Sequence, residues 1–181
     1  TISKAVIVGV SEYSLSDYFL DVNMECPDEE SRNKVFPKMV VFAREILERE
    51  IKFAKLFIRE EKNILNVYHK TGDKRIIILE KDYSNWSKVL SDRAEPLFVI
   101  KPSPDIQAWK IYGIKVKGEE YTNRVDLPAS WAGKKDKELA DITGVADAIY
   151  CHHSRYMAIA KSKAGAIKLA ELALREIEKN K

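Results

Sequence analysis

The stretch from Phe36 to Lys62 constrains the fold most, because its apolar residues recur at steps of three and four positions. These residues are Phe36, Val40, Ala43, Leu47, Ile51, Ala54 and Ile58. Such spacing places one apolar stripe along a long amphipathic helix. Pro37 then lies in the first turn, where its missing N–H costs nothing. The stretch therefore predicts one long helix early in the chain.

The residues before this helix lack its periodicity. The β-rich run Lys4–Val10 predicts a short strand, and the polar segment that follows it predicts a loop with at most one further strand. We therefore predict that residues 1–34 form a linker with an edge strand and that residues 35–181 form one domain.

After the helix, the apolar period changes to two. Three pairs of β runs follow, the first about the turn Thr71–Asp73, and Asn85–Leu90 has room for one helical turn. Lys134–Gly144 predicts a short helix closed by Gly144, and a final helix begins after Ser162 as its N-cap. This order predicts an α+β fold with a mixed or largely antiparallel sheet covered by helices.

Composition narrows the class of protein. The formal charge of +3, from 31 basic and 28 acidic residues, creates no strong field for nucleic acid, so any basic surface must come from clustering. No apolar run is long enough to span a bilayer, and the two cysteines are far apart in sequence. We therefore expect a cytoplasmic protein without membrane contact.

The stretch Tyr150–Tyr156 raises the question of a metal site, because it holds Cys151, His152 and His153. Neighbours on a strand point to opposite faces, and no second pair of ligands completes a tetrahedral set. We predict no metal and no catalytic residue in this chain. Trp131 is a further candidate, either as an anchor that fixes its loop to the core or as a stacking surface, and anchoring is favoured.

A basic cluster adjoins the predicted start of the last helix. Arg155, Lys161 and Lys163 lie there beside exposed backbone N–H groups, which favours a phosphate. The alternative is that the lysines are ordinary solvated charges.

The stretch from Leu127 to Ala173 carries a pattern of spaced residues: Leu127, Pro128, Trp131, Gly133, Asp136, Leu139, Gly144, His152, Ser154, Gly165, Ala166 and Ala170. This pattern resembles that of the melanocyte-proliferating-gene-one family, and the resemblance extends over nearly the whole chain. Weaker likenesses lie in "QAWKIYG", "YSNWSKVL" and "SLSDYFLDVNME". The family is similar to the DHH phosphoesterases, in which an N-terminal domain holds Mn or Mg and a C-terminal domain closes over the substrate.

The resemblance implies that this chain is the substrate-binding C-terminal half of a metal-dependent RNA exonuclease and is inactive alone. Its partners would be RNA or another phosphate-containing substrate and the N-terminal catalytic domain, with a homodimer as a further option. The substrate-binding residues would be His152, Ser154, Arg155, Lys161 and Lys163. We expect weak, salt-sensitive RNA binding that falls when both lysines are removed.

One departure from the family pattern keeps an alternative open. Two glycines of the family are replaced within Tyr156–Ala160, and Ile159 would obstruct a phosphate cradle made of backbone N–H groups. The alternative is a stand-alone interaction or dimerisation module that retains the fold without nucleic-acid activity.

Overall fold

The computed structural model describes residues 14–179, so the predicted strand at Lys4–Val10 lies outside the described residues. The chain forms two compact units, Thr1–Lys55 and Leu56–Lys181. The predicted domain boundary after residue 34 stays a prediction. Among residues 14–179, every helix is too short or too polar to cross a membrane.

The first unit begins with helix α1 (Leu15–Met24), where the sequence predicted a loop. A capping box starts the helix: the backbone N–H of Asp17 donates to Ser14 Oγ over 3.1 Å, and the N–H of Ser14 donates to Asp17 Oδ2 over 2.8 Å. The spacing of Ser14 and Asp17 was the signal that the loop prediction overlooked.

Helix α2 (Glu29–Lys70) confirms the long helix and extends it at both ends. Pro37 therefore lies inside the helix rather than in its first turn. The β run predicted from Ile64 is wrong, because this segment is the end of α2. Ile64 and Tyr68 are four residues apart and lie on one buried face of the helix. The burial of this face outweighs the strand propensity of the segment, so the segment is helical.

The second unit contains a five-stranded mixed sheet in the order β1-β2-β3-β5-β4. Its strands are β1 (Ile76–Ile78), β2 (Phe98–Ser103), β3 (Ala108–Gly113), β4 (Ala148–Cys151) and β5 (Met157–Ala160). Strand β1 runs parallel to β2, and the other neighbours are antiparallel. The α+β prediction is confirmed.

Helix α5 (Lys163–Lys179) covers one face of the sheet and forms the main core with it. Leu169 and Ala173 of α5 pack there with Phe98 and Ile111 of the sheet. Helix α4 (Asp136–Thr143) adds Leu139 to this core and ends at Gly144, whose φ of 66° is the left-handed conformation that glycine adopts without strain.

On the opposite face of the sheet, strands β1 and β2 are covered by helices. There the end of α2 and helix α3 (Trp86–Ser91) enclose a second core that includes Ile64, Ile77, Leu90 and Val99. The side chains of β3, β4 and β5 on this face are partly exposed instead. This part of the sheet is where the candidate site lies.

Candidate nucleic-acid interface

The candidate site is centred on strand β3. Successive side chains of a strand point to opposite faces of the sheet, and those of Lys110 and Tyr112 point away from α5. Lys110 lies opposite Lys101 of β2 and Ile159 of β5, and Tyr112 lies opposite Met157 of β5. Side chains of paired antiparallel residues share a face, so these residues form one surface.

Aromatic rings cross this surface in a continuous row. Trp86 lies 5.2 Å from Tyr112, Tyr112 lies 6.4 Å from Tyr156 in a stacked arrangement, and Tyr156 lies 4.4 Å from His152, all between ring centroids. We call this surface the aromatic sheet face; its members are Trp86, Lys101, Lys110, Tyr112, Tyr150, His152 and Tyr156. At these distances the four rings pack against one another, and among them Tyr156 alone is exposed, at 37%.

Two lysines lie on the aromatic sheet face, and each is paired with a carboxylate. Lys101 is 8% exposed, donates to Asp82, and holds its ammonium 5.7 Å from the Tyr112 ring centroid. The ammonium of Lys110 lies 3.9 Å from Asp105 Oδ2. Burial, and secondarily the charges of Tyr156, Asp82 and Asp105, raise the pKa of Tyr112. Tyr112 is therefore a neutral hydrogen-bonding ring at physiological pH.

The turn between β4 and β5 joins the aromatic sheet face at its end. The N–H of Arg155 donates to the His152 carbonyl over 2.8 Å, and the φ of Arg155 is 57°. The Arg155 guanidinium then lies 3.2 Å from Asp126 Oδ2. The structure thus brings three predicted site residues, His152, Ser154 and Arg155, together beside Tyr156.

His152 is held as a neutral ring in this turn. Its Nδ1 accepts the backbone N–H of Ser154 over 3.1 Å, so the proton of the neutral imidazole is on Nε2. Partial burial, and then the neighbouring His153, lower the pKa of His152. His152 can therefore donate a hydrogen bond at neutral pH without carrying charge.

The other two predicted site residues lie elsewhere. Strand β5 separates Lys161 and Lys163 from the turn, so their grouping with Arg155 in one basic cluster stays a prediction. Lys163 pairs with Glu80, and its ammonium lies 5.6 Å from the Trp109 ring centroid, on the α5 side of the sheet. Lys161 is exposed.

A carboxylate of the chain itself occupies the start of α5. Asp147 Oδ2 accepts the N–H of Ser162 over 2.8 Å, and Ser162 Oγ accepts the N–H of Gly165 over 3.0 Å. This carboxylate already meets the positive end of the helix dipole, where the sequence suggested a phosphate. A phosphate there would have to compete with it.

Trp131 and Cys151 are both buried in the main core. Trp131 is 4% exposed, so its indole packs within the core rather than facing solvent. Burial raises the pKa of Cys151 to about 11, which makes it an unreactive thiol. Among residues 14–179, the His, Cys, Asp and Glu side chains form no group of three or more that could hold a metal ion.

Several residues of the aromatic sheet face were missed by the sequence analysis. The signal for Lys110 and Tyr112 was present, because "AWKIYG" alternates and turns both to one face. Nothing in the sequence showed that β3 would lie beside β5, which is what brings Tyr112 next to Tyr156.

The chain is similar in sequence to a family of known proteins. A family profile described as MYG1 exonuclease, uncharacterised protein family UPF0160, matches residues 8–174. The MYG1 protein of Dictyostelium discoideum is 25% identical over 86% of this chain and 50% of its own length. The MYG1 protein C694.04c of Schizosaccharomyces pombe is 27% identical over 58% of this chain and 34% of its own length.

A mouse relative carries an activity in its name. The protein named MYG1 exonuclease in Mus musculus is 27% identical over 47% of this chain and 22% of its own length. This chain thus spans half or less of the length of these curated relatives. No solved structure matches the chain significantly.

Proposed function

Because this chain belongs to the MYG1 exonuclease family, we propose that it is the substrate-binding part of a metal-dependent phosphoesterase that shortens RNA. The observation that carries the proposal is the aromatic sheet face. Successive unpaired bases stack on aromatic rings, and each such stack contributes about 1–3 kcal/mol. Lys110 beside the rings would attract a phosphate between the bases, in competition with Asp105, whose Oδ2 lies 3.9 Å from its ammonium.

The turn supplies the remaining contacts in this proposal. His152 donates from Nε2 to a phosphate or sugar oxygen, Ser154 offers its hydroxyl, and Arg155 contributes a guanidinium that Asp126 holds in place. Lys161 and Lys163 lie beyond β5 and would contact only a strand that continues past the turn.

The metal chemistry belongs to another part of the enzyme in this proposal. The resemblance to the DHH phosphoesterases suggests that Mn or Mg would be held by an N-terminal metal-binding half outside this chain. There the metal would activate the attacking water. The role of this chain is to bind and orient the RNA end, and we expect it to be inactive alone.

RNA binding can be tested by fluorescence anisotropy with a short labelled single strand at low salt. Tyr156→Ala should weaken binding about tenfold, because one stacking ring is lost. Lys110→Gln should reduce the slope of log affinity against log salt by about 0.7, the value for one phosphate contact with a single strand. Lys137→Gln on α4 is the charge-matched control and should change neither quantity.

The same titration separates the two basic regions. If the Lys161→Gln/Lys163→Gln double variant weakens binding and Tyr156→Ala does not, the substrate surface is the start of α5 and the aromatic sheet face is rejected. Absence of RNA binding would favour the alternative, an interaction module without nucleic-acid activity. Hydrolysis of RNA by this chain with added Mn²⁺, abolished by His152→Ala, would contradict a purely substrate-binding role.

A further inference from the structure

The apolar stripe of α2 has no role in the proposed function, although it is the strongest pattern in the sequence. Within the first unit its residues repeat at an interval of eleven: Phe36 with Leu47, Val40 with Ile51, and Ala43 with Ala54. Eleven residues make about three helical turns, so the repeat keeps all six side chains on one face of a nearly straight helix. We call these six residues the hendecad face.

The large side chains of the hendecad face are open to solvent. Phe36 is 65% exposed, Val40 49%, Leu47 59% and Ile51 45%. Helix α1 packs on a neighbouring side of α2, where Tyr18 lies 5.1 Å and Phe19 6.3 Å from Phe42 between ring centroids. Of the hendecad face, Phe36 borders this side, since it lines a cavity with Phe19 and Leu20 of α1. A row of exposed apolar side chains of this length is unusual on a monomer.

The pattern itself indicates what covers the hendecad face. Apolar repeats of seven or eleven residues are the seams along which α-helices pair, and alternating large and small side chains allow close packing. The four large residues offer on the order of 400 Å² of apolar surface per chain, about half of what a standard interface buries per partner. Two such faces bury less than a standard interface, so the area is that of a weak, transient pair.

We infer that two copies of this chain pair through their hendecad faces with the α2 helices parallel. The flanking charges decide the direction. At 100° per residue, Glu50 lies on one flank together with Arg32, which is eighteen residues earlier along the helix, and Arg44 and Lys55 lie on the other. In a parallel pair opposite flanks meet, so Glu50 of each copy faces Arg44 and Lys55 of the other. An antiparallel pair would set the basic flanks against each other.

The oligomeric state of the full 181-residue chain tests this inference. Sedimentation equilibrium should show a monomer–dimer equilibrium in the micromolar range. Leu47→Glu should raise the dissociation constant at least about a hundredfold, because it replaces apolar burial with a desolvated charge. Val41→Glu is the matched control: Val41 is 44% exposed on the same helix but lies off the hendecad face, so the dimer should persist. Circular dichroism should show that both variants retain their helix content.

A charge exchange tests the parallel direction. Glu50→Lys should weaken the dimer, and the double variant Glu50→Lys/Lys55→Glu should restore much of the affinity. A wild-type chain that stays monomeric up to about 10⁻⁴ M overturns the inference. So does a dimer that Leu47→Glu leaves intact or that Val41→Glu disrupts equally. A dimer that Glu50→Lys leaves unchanged or strengthens overturns the parallel arrangement, because an antiparallel pair has no attraction at Glu50 for the variant to remove. The test does not depend on RNA binding, so it stands or falls separately from the proposed function.

Discussion

Leu47 in the first unit and Leu169 in the second lie on amphipathic helices with the same kind of apolar spacing, yet Leu47 is 59% exposed and Leu169 is fully buried. The difference extends to the whole of each unit. Among the described residues of the first unit, Cys26 alone is buried, whereas the second unit has two cores on the two faces of its sheet. Periodicity thus shows which face of a helix is apolar, but not whether anything covers it.

The contrast has a functional counterpart. The second unit uses its cores to hold Tyr112, His152 and Tyr156 in place, as a binding surface requires. The first unit presents apolar side chains that still require a partner. The following experiments, from the largest expected effect to the smallest, test whether this contrast is real.

The two leucines should respond very differently to truncation. Leu169→Ala should lower the free energy of unfolding by about 3 kcal/mol, because it leaves a cavity in the main core. Leu47→Ala should cost about 0.5 kcal/mol or less when measured at submicromolar protein concentration, where the chain is monomeric. Urea unfolding followed by circular dichroism measures both. Equal losses would mean that the first unit is as well packed as the second.

The two cysteines should differ in reactivity. Cys151 is fully buried and has a pKa raised to about 11, so it reacts only after the main core opens. Cys26 is 8% exposed and is surrounded by a unit whose other described residues are not buried. We expect Cys26 to react with a thiol reagent faster on the order of a hundredfold. Mass spectrometry of the labelled peptides gives both rates, and similar rates would remove the contrast between the units.

The close packing of the second unit can be tested at Gly165. An added Cβ would clash with the Asp147 carboxylate, whose Cγ would lie 2.7 Å away. Gly165→Ala should therefore cost about 1–3 kcal/mol, because Asp147 must leave the start of α5. Gly72→Ala is the control, since its Cβ would meet nothing within 4 Å. Thermal melting of both variants checks the expectation, and equal melting temperatures would contradict it.

The smallest effect concerns the protonation of His152. A solvated histidine keeps a pKa near 6.5, whereas partial burial and His153 lower the pKa of His152. The native state then holds the proton less tightly than the unfolded chain, so this group makes the free energy of unfolding fall as the pH drops through 6.5. NMR titration should place the midpoint of His152 below 6.5, and His153→Gln should raise it. A midpoint at or above 6.5 would show that His152 is as solvated as a histidine in the unfolded chain, and the contrast with the exposed first unit would then not extend to this residue.

Local patterns predicted much of the fold. The alternation in β3, the glycine after α4 and the Ser162 cap of α5 each depend on neighbours in sequence, and all three are present in the structure. The first helix was missed although Leu15, Phe19 and Val22 recur at steps of four and three, and the end of α2 was missed because Ile64 lies in a β-rich stretch. The grouping of Arg155 with Lys161 and Lys163 stays a prediction drawn from closeness in sequence, and β5 runs between Arg155 and the two lysines.

The sequence by itself determined the family, because the spacing of its motifs matches the family pattern. It also determined the apolar stripe of α2, because apolar residues recur at steps of three and four. Both are carried by residues at fixed separations along the chain. Only the tertiary structure decided that β3 lies between β2 and β5, which sets Tyr112 beside Tyr156, and that Asp147 takes the start of α5. These placements join residues far apart in sequence, and they depend on how the sheet and α5 bury their apolar faces against each other, which no local pattern records.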